Sequence, residues 1–344
     1  GPDGINWHDW DKDGQVDLFV NYEEGKKSRL YFNPGINKVT QVWNDYIEFN
    51  HTKCEDSGIG DLDNNGDIDY IANGGQIYFN PGKSKVRAKQ EWQKMILFKE
   101  EARVPVVTDI DQDGLSDLLV AGNRWYKQPF NDKHNASKWK EFKLGNVKWA
   151  MNNIHYDVDK DGLKDIVVQD RRTEIFWYKN PGLKELFKPW PRFQIYNNKE
   201  SMFMMIADVN QDSIDDYIIT GGRVGALQKK LLILINEAKK GKPKFKEIIL
   251  DQPDMGFEGI DYFPKGVSYF DVDGDPSQKE IVVLPKKGDA WYVTYEGSSK
   301  SVEGWKTHAI PLPGSLTRFK MDNIYPCDID GDGDLDFATT EENS

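Results

Sequence analysis

An acidic turn that returns seven times restricts this chain more than any other part of its sequence. The spacing Asp-x-Asp/Asn-x-Asp/Asn-Gly-x-x-Asp occurs as "DWDKDGQVD" from Asp9, "DLDNNGDID" from Asp61, "DIDQDGLSD" from Asp109, "DVDKDGLKD" from Asp157 and "DIDGDGDLD" from Asp328. Two copies depart from it. "DVNQDSIDD" from Asp208 has Asn210 third and Ser213 in place of glycine, and "DVDGDPSQKE" from Asp271 has Pro276 at the glycine position and Glu280 as its last carboxylate, one residue late. Successive copies start 52, 48, 48, 51, 63 and 57 residues apart. A period near fifty marks a propeller or an array, in which each repeat is a supersecondary unit that cannot bury its apolar face alone.

The rest of each period repeats too. A short apolar stretch precedes the turn ("VPVVT", "FMMIA", "GVSYF") and another follows it ("DLFV", "DLLV", "DIVV", "DYII", "EIVV", "DFAT"). A third element is visible in "RLYFNPG", "QIYFNPG", "NRWYKQP", "IFWYKNPG", "LLILINE" and "AWYVTYEG", and a fourth opens with an aromatic, as in "WNDYIEF", "WQKMILF" and "WKTHAI". Four short strands per period, joined by Gly, Pro and Asn turns, make one propeller blade. The expected fold is all-β: a seven-bladed β-propeller forming a single domain over 1–344, with blade motifs starting at 9, 61, 109, 157, 208, 271 and 328. The sequence stops at "DFATTEENS", after the second strand of the seventh period, so the last blade is expected to be incomplete here or the native chain to continue.

Packed carboxylates repel one another or take up protons unless a cation neutralises them. The first, third, fifth and ninth positions of the turn offer side-chain oxygens, and the seventh can add a carbonyl. This is the oxygen cage of a hard cation, and Ca²⁺ tolerates its irregular geometry better than Mg²⁺. The expected ligands are Asp9, Asp11, Asp13 and Asp17; Asp61, Asp63, Asn65 and Asp69; Asp109, Asp111, Asp113 and Asp117; Asp157, Asp159, Asp161 and Asp165; Asp208, Asn210, Asp212 and Asp216; Asp271, Asp273, Asp275 and Glu280; and Asp328, Asp330, Asp332 and Asp336. With the fifth and sixth turns altered, six or seven Ca²⁺ are expected. The formal charge of −12 then reads as metal capacity rather than a partner signal, since six divalent ions bring it to zero and seven to +2. EF-hands are excluded, because no long helical pattern flanks the turns and no Glu stands at their twelfth position.

These turns, together with "WYKNPG", resemble the FG-GAP/VCBS-repeat propellers, which share the Asp-rich loop with the integrin α-subunit head. The resemblance covers nearly the whole chain. It implies Ca²⁺ in the loop between the first and second strands of each blade, on the face opposite the usual ligand face. The family includes lectins, adhesion modules and propeller portions of sugar-active enzymes. Extracellular modules of this kind work where Ca²⁺ is roughly 10⁻⁴ to 10⁻³ M, so a secreted, periplasmic or cell-surface location is expected. No membrane span or lipidation motif is visible. Cys54 and Cys327 fall in the entries to inner strands that are not neighbours in the ring, so no disulfide is expected, and without a Cys/His cluster zinc is not indicated.

Function then belongs to the other face. Of eleven tryptophans, ten fall in register with strands or turns and are expected in the core, while Trp149, in "GNVKWAMNN", stands outside it. Beside Lys148, Asn152 and Asn153 it suits stacking on a sugar ring or plugging a loop against the rim. His155 stands two before Asp157, where other copies are mostly apolar, and suits either a buried hydrogen-bonded role or that of a general base. Basic residues gather in the same connections: Lys53 with His51, Arg103, Lys148, Arg171, Arg172, Arg223, Arg318 and Lys320. Converging from several blades, they could hold a carboxylate or sulfate.

Three readings follow. The first is a glycan-binding propeller, its ligand an acidic polysaccharide met by Trp149 and the Arg/Lys group. The second is an elimination enzyme, a polysaccharide lyase or a protein like the aldos-2-ulose dehydratases, with His155 or His51 as base and Tyr262 as acid. The third is a protein-interaction scaffold like the integrin head. No nucleophile elbow, HExxH or phosphate loop is present, and no basic stripe suggests nucleic acid.

Overall fold

The computed structural model describes residues 4–23, 25–51, 57–89, 91–100, 103–197, 200–222, 224–225, 227–254, 262–275, 277–296, 299, 301–312 and 320–342, the last two without their side chains. Lys53, Cys54, Arg223, Pro276 and Arg318 lie outside the described residues. Among the described residues the chain forms six four-stranded antiparallel sheets and one two-stranded sheet, in sequence order. The fourth is representative: Ala150–Tyr156, Asp165–Asp170, Ile175–Tyr178 and Arg192–Tyr196 pair as a meander, with the acidic turn between its first two strands. The seventh consists of Lys320–Cys327 and Asp336–Glu342. Helix is limited, among the described residues, to single short turns such as Lys83–Val86.

The first strands run along the centre. They are Gly4–His8, Ser57–Gly60, Val106–Thr108, Ala150–Tyr156, Ser201–Ala207, Pro264–Phe270 and Lys320–Cys327; each lies beside the next, and the last lies beside the first. A succession of sheets that returns on itself in this way is the architecture of a β-propeller.

Alternation along the second strands explains the packing. In Asp117–Val120, Leu118 and Val120 enter a cluster with Leu62, Ile71, Ile77 and Phe79 of the second sheet, while Leu119 enters one with Ile166, Val168 and Phe176 of the fourth. Neighbouring side chains point to opposite faces, and both faces are covered, so the strand is apolar throughout. Six such clusters bridge successive pairs of sheets, from the first and second to the sixth and seventh.

A polar bond also repeats between sheets. Asn80 Nδ2 donates to the carbonyl of Trp10 (3.4 Å), and Gln128 Nε2 donates to that of Leu62 (2.7 Å); both acceptors are the second residue of the preceding acidic turn. Asn33 Nδ2 donates to the carbonyl of Ile329, the same position in the seventh turn (3.1 Å). The same contact that ties the second sheet to the first and the third to the second therefore ties the first to the seventh. Of the ten tryptophans expected in the core, eight are buried, but Trp7 and Trp43 are only half-buried.

Candidate functional site

Each acidic turn is folded by its own carboxylates. In the first, Asp9 accepts the N–H of Asp13 (3.0 Å) and of Gly14 (2.9 Å), and the fifth-position Asp13 accepts that of Gln15 (2.9 Å). The first-position carboxylates of the second to fifth turns accept the equivalent pair. The sixth residue takes positive φ, which favours glycine, yet Ser213 adopts it at +65° and keeps the same bonds. The fourth residue is left-handed as well, at Lys12, Asn64, Gln112, Lys160 and Gln211, and glycine stands there in the sixth and seventh turns (Gly274, Gly331).

The ninth-position carboxylate has a second task that the spacing did not disclose. Asp69, fully buried, accepts the N–H of Leu62 (2.7 Å) through one oxygen and that of Asn80 (2.8 Å) through the other, stapling the start of the turn to the end of the third strand. Asp17, Asp117, Asp165 and Asp216 bind the corresponding pairs, and Glu280 and Asp336 accept the first of the two N–H groups. Burial pushes these acids up, Asp69 to about 8 and Asp17, Asp117, Asp165 and Asp216 to about 7.

The donor set fits a hard cation. Ligand atoms of Asp61, Asp63 and Asp69, of Asp109, Asp111 and Asp117, of Asp157, Asp159 and Asp165, of Asp271, Asp273 and Glu280, and of Asp9, Asp11 and Asp13 each lie within 4.8 Å of one another. All are oxygens, and Oδ1 of Asp111 and Oδ1 of Asp159 are buried without a hydrogen-bond partner. Such clusters could hold metal ions. In the second, third and fourth turns they combine first, third and ninth positions; Asn65, Asp113 and Asp161 at the fifth accept the seventh residue's N–H instead.

The opposite face carries a cavity of about 430 Å³ at the beginnings of the inner strands, whereas the turns follow their ends. Its lining includes Arg103, Arg171, Lys265, Lys286 and Lys320, with Asp322 as the one acidic side chain among the described lining residues. Lys265 and Asp322 are both buried and form an ion pair. Asn6 and Asn21, also in the lining, each donate to Ser57 Oγ at 2.7 Å.

Trp149, Asn153 and Arg171 are among the residues that line this cavity, while Lys148 is exposed and outside the lining. Trp149 is not a bare platform: the guanidinium carbons of Arg103 and Arg172 each lie over its ring, 4.9 Å from the centroid. A sugar stacking on the indole must therefore displace or share the ring with a cation. Arg171 is held by Glu200 (2.8 and 2.9 Å). Asn152 and Asn153 tie neighbouring sheets, donating to the carbonyls of Met204 (2.6 Å) and Val104 (3.0 Å).

The histidines lie elsewhere. His155 Nδ1 and the Thr108 hydroxyl are 2.7 Å apart, and burial holds its imidazole down to about 4. His51 is buried, with Nε2 3.0 Å from the Ser28 hydroxyl. Neither histidine, nor Tyr262, is among the cavity-lining residues. Lys265, Lys286 and Asp322 escaped sequence reasoning, although "FPKGVSYF" places a lysine early in an inner strand, where a side chain faces the mouth.

The architecture is that of a β-propeller with an Asp-rich turn after the first strand of each sheet. The sequence profile of the FG-GAP-like repeat matches residues 157–219, which span the fourth and fifth turns. The structure is similar to BBS1N in complex with ARL6DN soaked with mercury, with a TM-score of 0.56, 12% identity, and coverage of 98% of this chain and 88% of that one. The same complex soaked with lead gives a TM-score of 0.53 at 12% identity, with the same coverage. At this identity the likeness speaks of the fold alone. No curated protein sequence matches the chain.

Proposed function

We propose that this chain is a calcium-stabilised recognition propeller that binds an acidic carbohydrate at the face opposite the acidic turns. One observation carries the reading: a cavity at that face is lined by five basic side chains and a partly exposed tryptophan. Arg103 and Arg171, the latter held by Glu200, point forked donors toward a carboxylate or sulfate, and Lys265, Lys286 and Lys320 add positive charge around it. Asn6, Asn21 and Asp322 supply the hydroxyl partners that give a sugar its orientation. The acidic turns hold six or seven Ca²⁺, of which the ions' part is to neutralise the carboxylates. Turns of this kind fill where Ca²⁺ is abundant, which supports a secreted, periplasmic or cell-surface protein. No helix among the described residues is long and apolar enough to cross a membrane.

Calorimetric titration with acidic polysaccharides, and with neutral ones of matched length, tests the reading. Binding confined to the acidic set, weakened by salt and lost in Trp149→Ala, is expected. New ultraviolet absorbance from unsaturated products would turn the reading to an eliminating enzyme. Indifference to every glycan together with saturable binding of a protein would turn it to an interaction scaffold.

A further inference from the structure

The residue just before the third-strand Asn or Gln is Phe32, Phe79, Lys127, Lys179 and Ile235 in the first five sheets. Where it is lysine, its ammonium group reaches back to the turn of its own sheet. Lys127 Nζ pairs with the outer oxygens of Asp111 and Asp113, and Lys179 Nζ with those of Asp159 and Asp161. Where it is phenylalanine, the next sheet sends a nitrogen group across it. Arg87 stacks over Phe32 at 4.7 Å and pairs with Asp11 and Asp13; His134 stacks on Phe79 at 3.9 Å and its Nε2 lies 2.8 Å from Asp63 Oδ2. Two different sequence solutions thus deliver a side chain to one place. Among the described residues, no Lys, Arg or His forms an ion pair with the ligand-position carboxylates of the fifth, sixth and seventh turns.

We infer that Arg87, Lys127 and Lys179 are internal counter-ions of the first, third and fourth turns, which keep those turns shaped without metal and weaken their hold on Ca²⁺. The inference rests on the calcium reading above. Its geometry is specific. The lysine takes the Oδ2 atoms and leaves Asp111 Oδ1 buried and without a hydrogen-bond partner, on a residue that is only 8% exposed and belongs to the acidic cluster. Metal and ammonium therefore share one carboxylate rather than one seat. A dication repels an ammonium a few ångströms away with twice the force between unit charges, and this outweighs what is gained by holding two carboxylates in place. Six of the seven turns so fall into two grades, three that carry their own positive charge and three in the fifth to seventh sheets that depend on metal, while the second meets a histidine instead.

The test compares wild type with Lys127→Gln/Lys179→Gln by thermal melting in EDTA and in Ca²⁺, and by calorimetric Ca²⁺ titration. In EDTA the variant should melt several degrees lower; millimolar Ca²⁺ should abolish the gap, and the weaker phase of binding should strengthen by about tenfold while the tighter phase stays unchanged. Lys127→Arg/Lys179→Arg, which keeps the charge, should behave as wild type. Should the double variant fail to accumulate, each single Lys→Gln change gives the same comparison with one turn altered. Ca²⁺ binding with equal affinity and equal EDTA melting in variant and wild type overturns the inference and leaves the calcium reading intact. A wild type that neither binds Ca²⁺ nor gains stability from it removes both.

Discussion

Oδ1 of the buried Asp170 accepts the backbone N–H of Trp149 at 3.2 Å, and it is this bond that sets the one tryptophan outside the repeat register at the mouth. The same carboxylate accepts the N–H of Lys148 (2.7 Å) and of Arg172 (2.9 Å), so one side chain from the end of a second strand fixes both the indole and a guanidinium that lies over it. The arrangement of the mouth thus depends on a residue that is not itself among the cavity-lining ones.

Asp170→Ala should therefore act twice. Removing a buried carboxylate that satisfies three backbone donors costs about 3 kcal/mol. Any ligand affinity at the mouth should fall together with it. Urea unfolding and titration of the surviving folded protein separate the two effects, and full stability in Asp170→Ala would show that the bonds are not what orders this loop.

Asp69→Ala should destabilise by about 3 kcal/mol even in EDTA, because its two oxygens serve Leu62 and Asn80 whether or not metal is present, and by more in Ca²⁺. Asp63→Ala, which removes a largely buried carboxylate that accepts only the Asn65 N–H from the backbone, should cost more in Ca²⁺ than in EDTA. Chemical denaturation under both conditions distinguishes a staple from a ligand.

Gly58→Ala should be poorly tolerated although glycine there has ordinary backbone angles. An added Cβ would meet the Pro105 carbonyl oxygen at 2.6 Å and Ile71 Cγ2 at 3.1 Å, so the inner strands of the second and third sheets would have to move apart. A loss of about 2 kcal/mol or more is expected from such overpacking, read as a lowered denaturation midpoint.

Ser213→Gly should stabilise by about 0.5 kcal/mol, the relief of a left-handed serine exceeding the added freedom of the unfolded chain. An unchanged or lower midpoint would show that Ser213 is not strained at its φ of +65°.

Chelation of divalent ions should lower the melting temperature of the wild type, and added Ca²⁺ should restore it with a concentration dependence that follows the occupied fraction. A melting curve indifferent to EDTA and Ca²⁺ would refute a stabilising metal.

Much of this was legible in the chain because the repeat is periodic and local. Seven returns of one turn gave the sheet count, the fourfold apolar pattern gave the meander, and Trp149 stood out because it alone had no counterpart in other periods. The fifth turn keeps the hydrogen bonds of the others despite Ser213, since a serine backbone donates the same N–H as a glycine. What spacing hid were contacts with partners far along the chain. The staple from Asp69 to Asn80, the bond from Asn33 to Ile329, the pairing of Lys265 with Asp322, and the two arginines over Trp149 all join residues that no local pattern relates.

By itself the sequence determined that the chain is a succession of short antiparallel sheets and that each carries an acidic turn, because both follow from short-range periodicity and side-chain type. Only the tertiary structure decided which basic residues meet at the mouth and which instead turn back onto the acidic loops. That choice depends on the distances between strands brought together around a ring, and charge interactions are set by distance in space rather than by separation along the chain.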